Sequence, residues 1–386
     1  MFGGLTMGQS IKLFSVRGID IRMHITFPII LIWAALQFGL ISRGGWEGAI
    51  FGVVATLLLF TVVVLHELGH SIAAQYYDIE VKQIVLLPIG GVAQLTHIPE
   101  KPIQEFVIAI AGPAVNFGLA IIFGIVALLA GVSLSFEQLP SLLLGLDRMS
   151  LLALFGYVFS SNLLLAIFNL IPAFPMDGGR VLRALLATRM PYPRATVAAV
   201  SVGQALALLM GILGFVQGNF FWVLIAIFIY SGAGQERQMV LARNILSGLT
   251  VNQAFSRGAQ SLAPQRPLQD AIDLTLNTFQ SDFPVCDGQR LVGLLTHAKL
   301  VEALNRHGPN LAIEEVMLRD VEPVKPDDEV ILAQQKLADL RIEALPVVKG
   351  DEFLGLITNR DISEIYRLAS IRADLVPEQI QAPAAT

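Results

Sequence analysis

From Gly48 to Leu65 the chain reads GAIFGVVATLLLFTVVVL, with no charged residue, and runs straight into HELGH at 66–70. About 20 predominantly apolar residues cross the hydrocarbon core of a bilayer. Lipid forces such a segment to satisfy its own backbone groups, so it must be a helix. Ionisable side chains inside a span cost about 2.5–3.5 kcal/mol each on insertion scales and normally serve a function. On a helix, His66 and His70 are four apart and share one face. Two imidazoles at that spacing suit one zinc ion, and Glu67 beside the first suits a general base acting on a metal-bound water.

Catalytic zinc takes three protein ligands and leaves a fourth position open. The third must come from another span at similar depth, and the intramembrane carboxylate that qualifies is Asp177, in FNLIPAFPMDGGR. Pro172 and Pro175 break the fourth apolar segment there, and Gly178 and Gly179 permit a sharp turn. The plainer role for Asp177 is capping the helix that follows.

Charged residues make up 15% of the 386-residue chain, against about a quarter in soluble domains, and the shortfall is uneven. Residues 1–247 hold 13 basic and 11 acidic side chains, and the remaining 139 hold 13 and 20. The first two-thirds therefore read as lipid-embedded (net +2) and the last third as an acidic soluble region (net −7). That acidity argues against nucleic acid as a partner. Six spans are predicted, at 25–42, 50–77, 105–131, 149–172, 193–217 and 219–235. No signal-peptide pattern precedes the first. With the N-terminus inside, eleven Lys and Arg fall in inner segments against two outside, which places both termini in the cytoplasm. The arginines of 180–194 count among the inner eleven. Residues 79–98 read as a hairpin that dips into the membrane around Gly90 and Gly91, not as helix. The single cysteine, Cys286, reads as a core residue of a buried strand.

After Ser247 the chain repeats itself at a shift of 62. FPVCDGQRLVGLLTHAKL aligns with LPVVKGDEFLGLITNRDI, and each copy reads helix, strand, strand, helix. The copies span about 250–307 and 313–368, and such paired units bury a shared face. The tail, 369–386, reads as disordered.

HELGH in a span, the later NLIPAFPMDGGR, the intervening AGPAVN at 111–116 and the paired repeats together resemble the site-2 protease family of intramembrane zinc metalloproteases. The repeats resemble cystathionine-β-synthase (CBS) domains. The resemblance implies a polytopic α-helical membrane bundle of about six spans with a membrane-associated β-hairpin, at 1–247, and a C-terminal α+β CBS pair, at 248–368. It implies that His66, His70 and Asp177 bind Zn2+, that Glu67 is the catalytic base, and that Asn169 donates its amide to the oxyanion. Asn169 ordering the broken helix is the alternative. The expected substrate is a single-span membrane protein cleaved within its transmembrane segment, in a bacterial or archaeal cell membrane. CBS pairs in the family bind adenine nucleotides (ATP, ADP or AMP) between the repeats. Thr358 and Asp361 fit that pattern. The first copy keeps Thr296 but has Lys299 where the aspartate would stand, so at most one good site is expected. The alternative for the pair is a dimerisation module without ligand. A CBS-gated ion transporter or channel is the rival for the whole chain, but it has no need of a general base beside a metal-binding histidine.

Overall fold

The structure, a computed structural model, describes residues 10–95, 99, 101–131, 151–278 and 280–371. It divides into two compact units, the first reaching Arg237 and the second beginning at Gln238.

In the first unit a hairpin opens the described chain. Strands β1 (Ser10–Val16) and β2 (Ile19–His24) turn at Arg17 and Gly18, both at positive φ. Helix α1 (Pro28–Leu36) continues as a π-helical turn over Gln37–Ile41. Helix α2 (Gly45–Tyr76) contains the long apolar run and HELGH. Its 32 residues extend about 48 Å, well beyond the hydrocarbon core of about 30 Å. His66 lies ten residues, about 15 Å, from its C-terminal end. Strands β3 (Val81–Leu87) and β4 (Gly90–Leu95) follow, then α3 (Pro102–Leu129) and α4 (Leu151–Asn169). Helices α5 (Asp177–Ala187), α6 (Tyr192–Val216) and α7 (Phe220–Leu246) complete the run.

Within the 79–98 segment, residues 81–95 form a hairpin as expected and 96–98 lie outside the described residues; the hairpin joins the N-terminal one in a sheet of order β1-β2-β3-β4, with β2 and β3 parallel. Ile19, Ile21 and Ile84 of that sheet share a core with Phe27 and with Phe60, Val64 and Leu68 of α2. The sheet is thereby fastened to the helix that carries both histidines.

Among the described residues three helices, α2, α3 and α6, are long and apolar enough to cross a membrane, and Pro28–Ile41 and Leu154–Asn169 are shorter apolar helices. The sixth predicted span, 219–235, forms the first part of α7 and is not among these five. Exposed apolar side chains recur along α3 and α6, such as Ile121, Ile125, Leu208 and Ile212, and fit helices whose outer faces meet lipid.

The second unit holds short helix α8 (Val251–Ala254), α9 (Leu268–Asn277), β5 (Phe283–Asp287), β6 (Arg290–Leu295) and α10 (His297–His307). The pattern then returns as α11 (Val330–Leu340), β7 (Ala344–Lys349), β8 (Glu352–Thr358) and α12 (Asn359–Ile371). The shift of 62 holds in the backbone pairing. Pro284 faces Leu294 as Pro346 faces Leu356, and a bulge follows Val285 as one follows Val347. Gly288 and Gly350 both turn at a φ of 63°. The lead-in segments cross over, so that Ser256 bridges Leu356 while Leu318 bridges Leu294. The sheet order is β5-β6-β8-β7. Cys286 is buried in β5, as expected. Of the predicted tail, residues 369–371 close α12 and the rest lies outside the described residues.

Candidate metal centre

Helical spacing puts His66 and His70 on one side of α2, and their Nε2 atoms stand 3.1 Å apart. Asp177, the first residue of α5, brings its Oδ2 to 3.3 Å from His66 Nε2 and 3.2 Å from His70 Nε2. Four ligands at zinc bond lengths of about 2.0–2.1 Å in a tetrahedron are separated by about 3.3 Å. The three atoms therefore already form one face of a zinc-sized tetrahedron, and both histidines are buried. His70 Nδ1 donates to the Ile108 carbonyl on α3 at 2.7 Å. That bond fixes the tautomer and leaves Nε2 with its lone pair toward the centre, the usual arrangement behind a metal-bound imidazole. The donor set, its spacing and this backing bond fit zinc.

Glycine makes the cradle possible. A Cβ on Gly112 of α3 would overlap the His70 ring and come within 2.8 Å of His66 Cε1. A Cβ on Gly69, inside HELGH, would stand 2.9 Å from Val115 Cγ2 and 3.0 Å from the Ala111 carbonyl. So a glycine on each helix, Gly69 on α2 and Gly112 on α3, lets the two approach closely, and the AGPAVN stretch is the wall of the site. The Gly pair after Asp177 does the same work. A Cβ on Gly179 would press into the backbone at Ala173 and Phe174, 2.6–2.7 Å away. The broken segment 170–176 thus folds tightly back over the start of α5.

Glu67 is half-buried and lies under β4, where a Cβ on Gly91 would come 2.9 Å from its Cγ. Gly90 sits at the turn, at a φ of 143°. Strand β4 pairs with β3 on one side, and no strand lies on its other edge among the described residues. Asn169 ends α4, half-buried, where the chain enters the broken segment that leads to Asp177.

The residues named for the CBS pair have structural partners. Thr358 and Asp361 form a capping box at the start of α12. Asp361 Oδ2 accepts from the Thr358 N–H and hydroxyl at 2.8 and 2.6 Å, and Oδ1 accepts from Ser256 at 2.8 Å. Thr296 caps α10 by accepting from the Lys299 N–H. A separate cleft of about 210 Å³ is lined by Arg290, Gly293, Arg319 and Gly350, among others, and Thr296, Thr358 and Asp361 are not among its lining residues.

Sequence reasoning missed two things. The wall glycine, Gly112, was visible only as part of a motif. Arg183, counted as a cytoplasm-facing loop charge, is instead fully buried on α5 between Glu105 and Glu236. A charge in an amphipathic stretch such as GGRVLRALLATR carries no mark in the sequence of the carboxylates that will meet it.

The family model for peptidase family M50 matches residues 54–210, and that for the CBS domain matches 313–367. A zinc metalloprotease of Methanocaldococcus jannaschii is 33% identical over 96% of this chain and 99% of its own length. Stage IV sporulation protein FB of Bacillus subtilis is 29% identical over 41% of this chain and 49% of its own. Among solved structures, the site-2 protease from Methanocaldococcus jannaschii is 40% identical, covers 59% of this chain and 95% of that one, and has a TM-score of 0.42. The chain belongs to peptidase family M50, the site-2 protease family of integral-membrane zinc metalloproteases. It is a zinc metalloendopeptidase of that type, with CBS domains at its C-terminus.

Proposed function

We propose that this enzyme cuts single-span, membrane-tethered proteins inside their transmembrane segments, in a bacterial or archaeal cell membrane, with both of its own termini in the cytoplasm. Residues 1–247 perform the cleavage and the CBS pair at 248–368 regulates it. The observation that carries the reading is the three-atom face formed by His66, His70 and Asp177, with Glu67 next to His66 in the chain and its Cγ under Gly91 of β4, whose outer edge no described strand covers.

The roles divide as follows. His66, His70 and Asp177 would hold a zinc ion, which would supply Lewis acidity toward the scissile carbonyl and bring the pKa of water to about 7. Glu67 accepts the proton of the attacking water on its carboxylate and passes it to the nitrogen of the departing amine. The Asn169 amide donates a hydrogen bond to the oxygen that becomes negative as the carbonyl is attacked. A helical substrate shields its carbonyls, so it must unwind, and the edge of β4 that no described strand covers offers it a strand partner beside Glu67. The small residues Gly90 and Gly91 keep that approach open. An adenine nucleotide (ATP, ADP or AMP) binds at Thr358 and Asp361. It regulates cleavage by favouring one state of the enzyme over the other. Two chains associate through their CBS domains.

The test compares wild type with Glu67→Gln on a co-expressed single-span substrate, with zinc measured in each purified protein. The reading expects both to carry one zinc and only wild type to cleave. Cleavage at the wild-type rate by Glu67→Gln overturns the assignment of the base. No zinc in wild type overturns the centre.

A further inference from the structure

Six residues after Asp177 on α5 stands Arg183, fully buried and paired on two sides. Its Nε and Nη2 donate to Glu105 Oε1 on α3 at 2.8 and 2.5 Å, and its Nη1 donates to Glu236 Oε1 on α7 at 2.6 Å. The guanidinium carbon lies 4.8 Å from the centroids of both the Phe174 and the Tyr192 ring. Phe174 belongs to the broken segment just before Asp177. The one arginine therefore grips the chain on both sides of that aspartate.

The far end of the grip matters more. Glu105 lies one turn before Ile108, whose carbonyl holds His70 Nδ1, and the next turn of α3 brings Gly112 against both imidazoles. The same short stretch of α3 thus seats the histidine half of the metal centre and, through Glu105 and Arg183, the helix that carries the aspartate half. A buried arginine between carboxylates is a poor stabiliser, since apolar replacements of such groups are often neutral or better. Its planar fork does fix the orientation of what it holds. We propose that Glu105, Arg183 and Glu236 are positioning residues that hold α5 against α3, so that Asp177 meets both histidines at ligand distance. The inference rests on the reading of Asp177 as a zinc ligand.

The test uses full-length protein and the zinc affinity of each variant, measured by chelator competition, with the visible spectrum of the cobalt-substituted form as a second readout. Asp177→Ala checks the ligand reading. Glu236→Gln and Arg183→Lys check the positioning. Phe27→Leu, in the core where Phe27 meets Phe60, is the control for general destabilisation. Glu236→Gln and Arg183→Lys are expected to weaken zinc binding by about 10-fold or more, as loss of a supporting partner typically does, and to alter the cobalt bands. Phe27→Leu should lower the melting temperature and leave zinc affinity alone. Zinc affinity within about two-fold of wild type in Arg183→Lys, with Asp177→Ala impaired, overturns the positioning role, and the same result in Glu236→Gln removes Glu236 from it. An unimpaired Asp177→Ala overturns the ligand reading and this inference with it. If Arg183→Lys fails to accumulate, Glu105→Gln takes its place under the same criterion, because it weakens the link from α5 to α3 and keeps the Arg183–Glu236 pair.

Discussion

Gly91 lies directly over Glu67: a side chain at 91 would begin 2.9 Å from Glu67 Cγ and 3.1 Å from Val63 Cγ1. The edge strand and the proposed base are thus in contact, with no room for a methyl group between them. Gly91→Ala must push one or the other aside. Neither Glu67 nor Val63 is among the three candidate ligands, so zinc content should stay at the wild-type level. The cleavage rate should fall about 10- to 100-fold, the usual consequence of displacing a reacting group by a fraction of an ångström to an ångström. Parallel measurement of zinc and cleavage checks this. An undiminished rate would show that the strand lies clear of the chemistry.

Gly112 has the complementary role. Its missing Cβ leaves the space that the His66 and His70 rings occupy. Gly112→Ala forces at least one ring out of the ligand face and should cost most of the bound zinc, not merely the rate. The expected result is a stoichiometry well below one in the purified protein, restored little by added zinc. The two glycine variants together separate damage to the base from damage to the metal.

How much of this was readable in advance follows from which interactions are local. HELGH carries its own geometry, because helical spacing alone puts His66 and His70 on one face. The break before Asp177 was marked by its prolines and glycines. The 62-residue repeat was visible because strands, turns and caps recur in order, down to the bulges after Val285 and Val347. What stayed hidden depends on distant partners. The alternation in β1 and β2 was overlooked, and its parallel pairing with β3 joins residues some sixty positions apart. Arg183 looked like a topology signal because nothing near it in sequence announces Glu105 or Glu236. Gly112 gained its meaning only when α3 was laid against α2. Thr358 and Asp361 were singled out for a ligand, while their spacing is equally that of a capping box, and the structure shows the box formed.

That box sets a prediction for the CBS pair. Asp361 Oδ2 already accepts two hydrogen bonds and Oδ1 one, so a ribose hydroxyl reaching Oδ1 competes with the Ser256 hydroxyl for that oxygen. Asp361→Ala should abolish AMP binding measured by calorimetry, and it should also cost about 1 kcal/mol through the lost cap. Ser256→Ala removes the competitor and keeps the box, so it should bind AMP at least as well as wild type. Unchanged AMP binding in Asp361→Ala would place the nucleotide elsewhere, with the cleft beside Arg290 and Arg319 the next place to look.

Asp282 ties the two repeats together and gives the C-terminal unit a pH signature. Its Oδ1 accepts the His297 N–H at 2.8 Å in the first repeat, and its Oδ2 accepts the Ala344 N–H at 3.1 Å in the second. Burial raises its pKa above the ordinary 3.8, against the opposing pull of these N–H donors. The folded protein therefore holds a proton at this site more tightly than the unfolded chain does. A raised acid pKa means that ionisation costs stability at neutral pH and that this cost is relieved as pH falls through the folded value. Asp282→Asn has no such relief, and its NH2 group faces one of the two N–H donors. The variant should be less stable by about 1–3 kcal/mol at pH 7. The gap to wild type should widen as pH drops into the window between the raised folded pKa and the unfolded 3.8. Cys286, the sole cysteine and buried in the neighbouring strand, provides the readout. Its labelling at increasing urea reports opening of this unit in the intact chain, with the labelling pulse always given at one pH so that only the equilibrium varies. A gap that narrows on acidification would mean that the folded carboxyl is more acidic than the unfolded one, and that the two N–H donors outweigh burial.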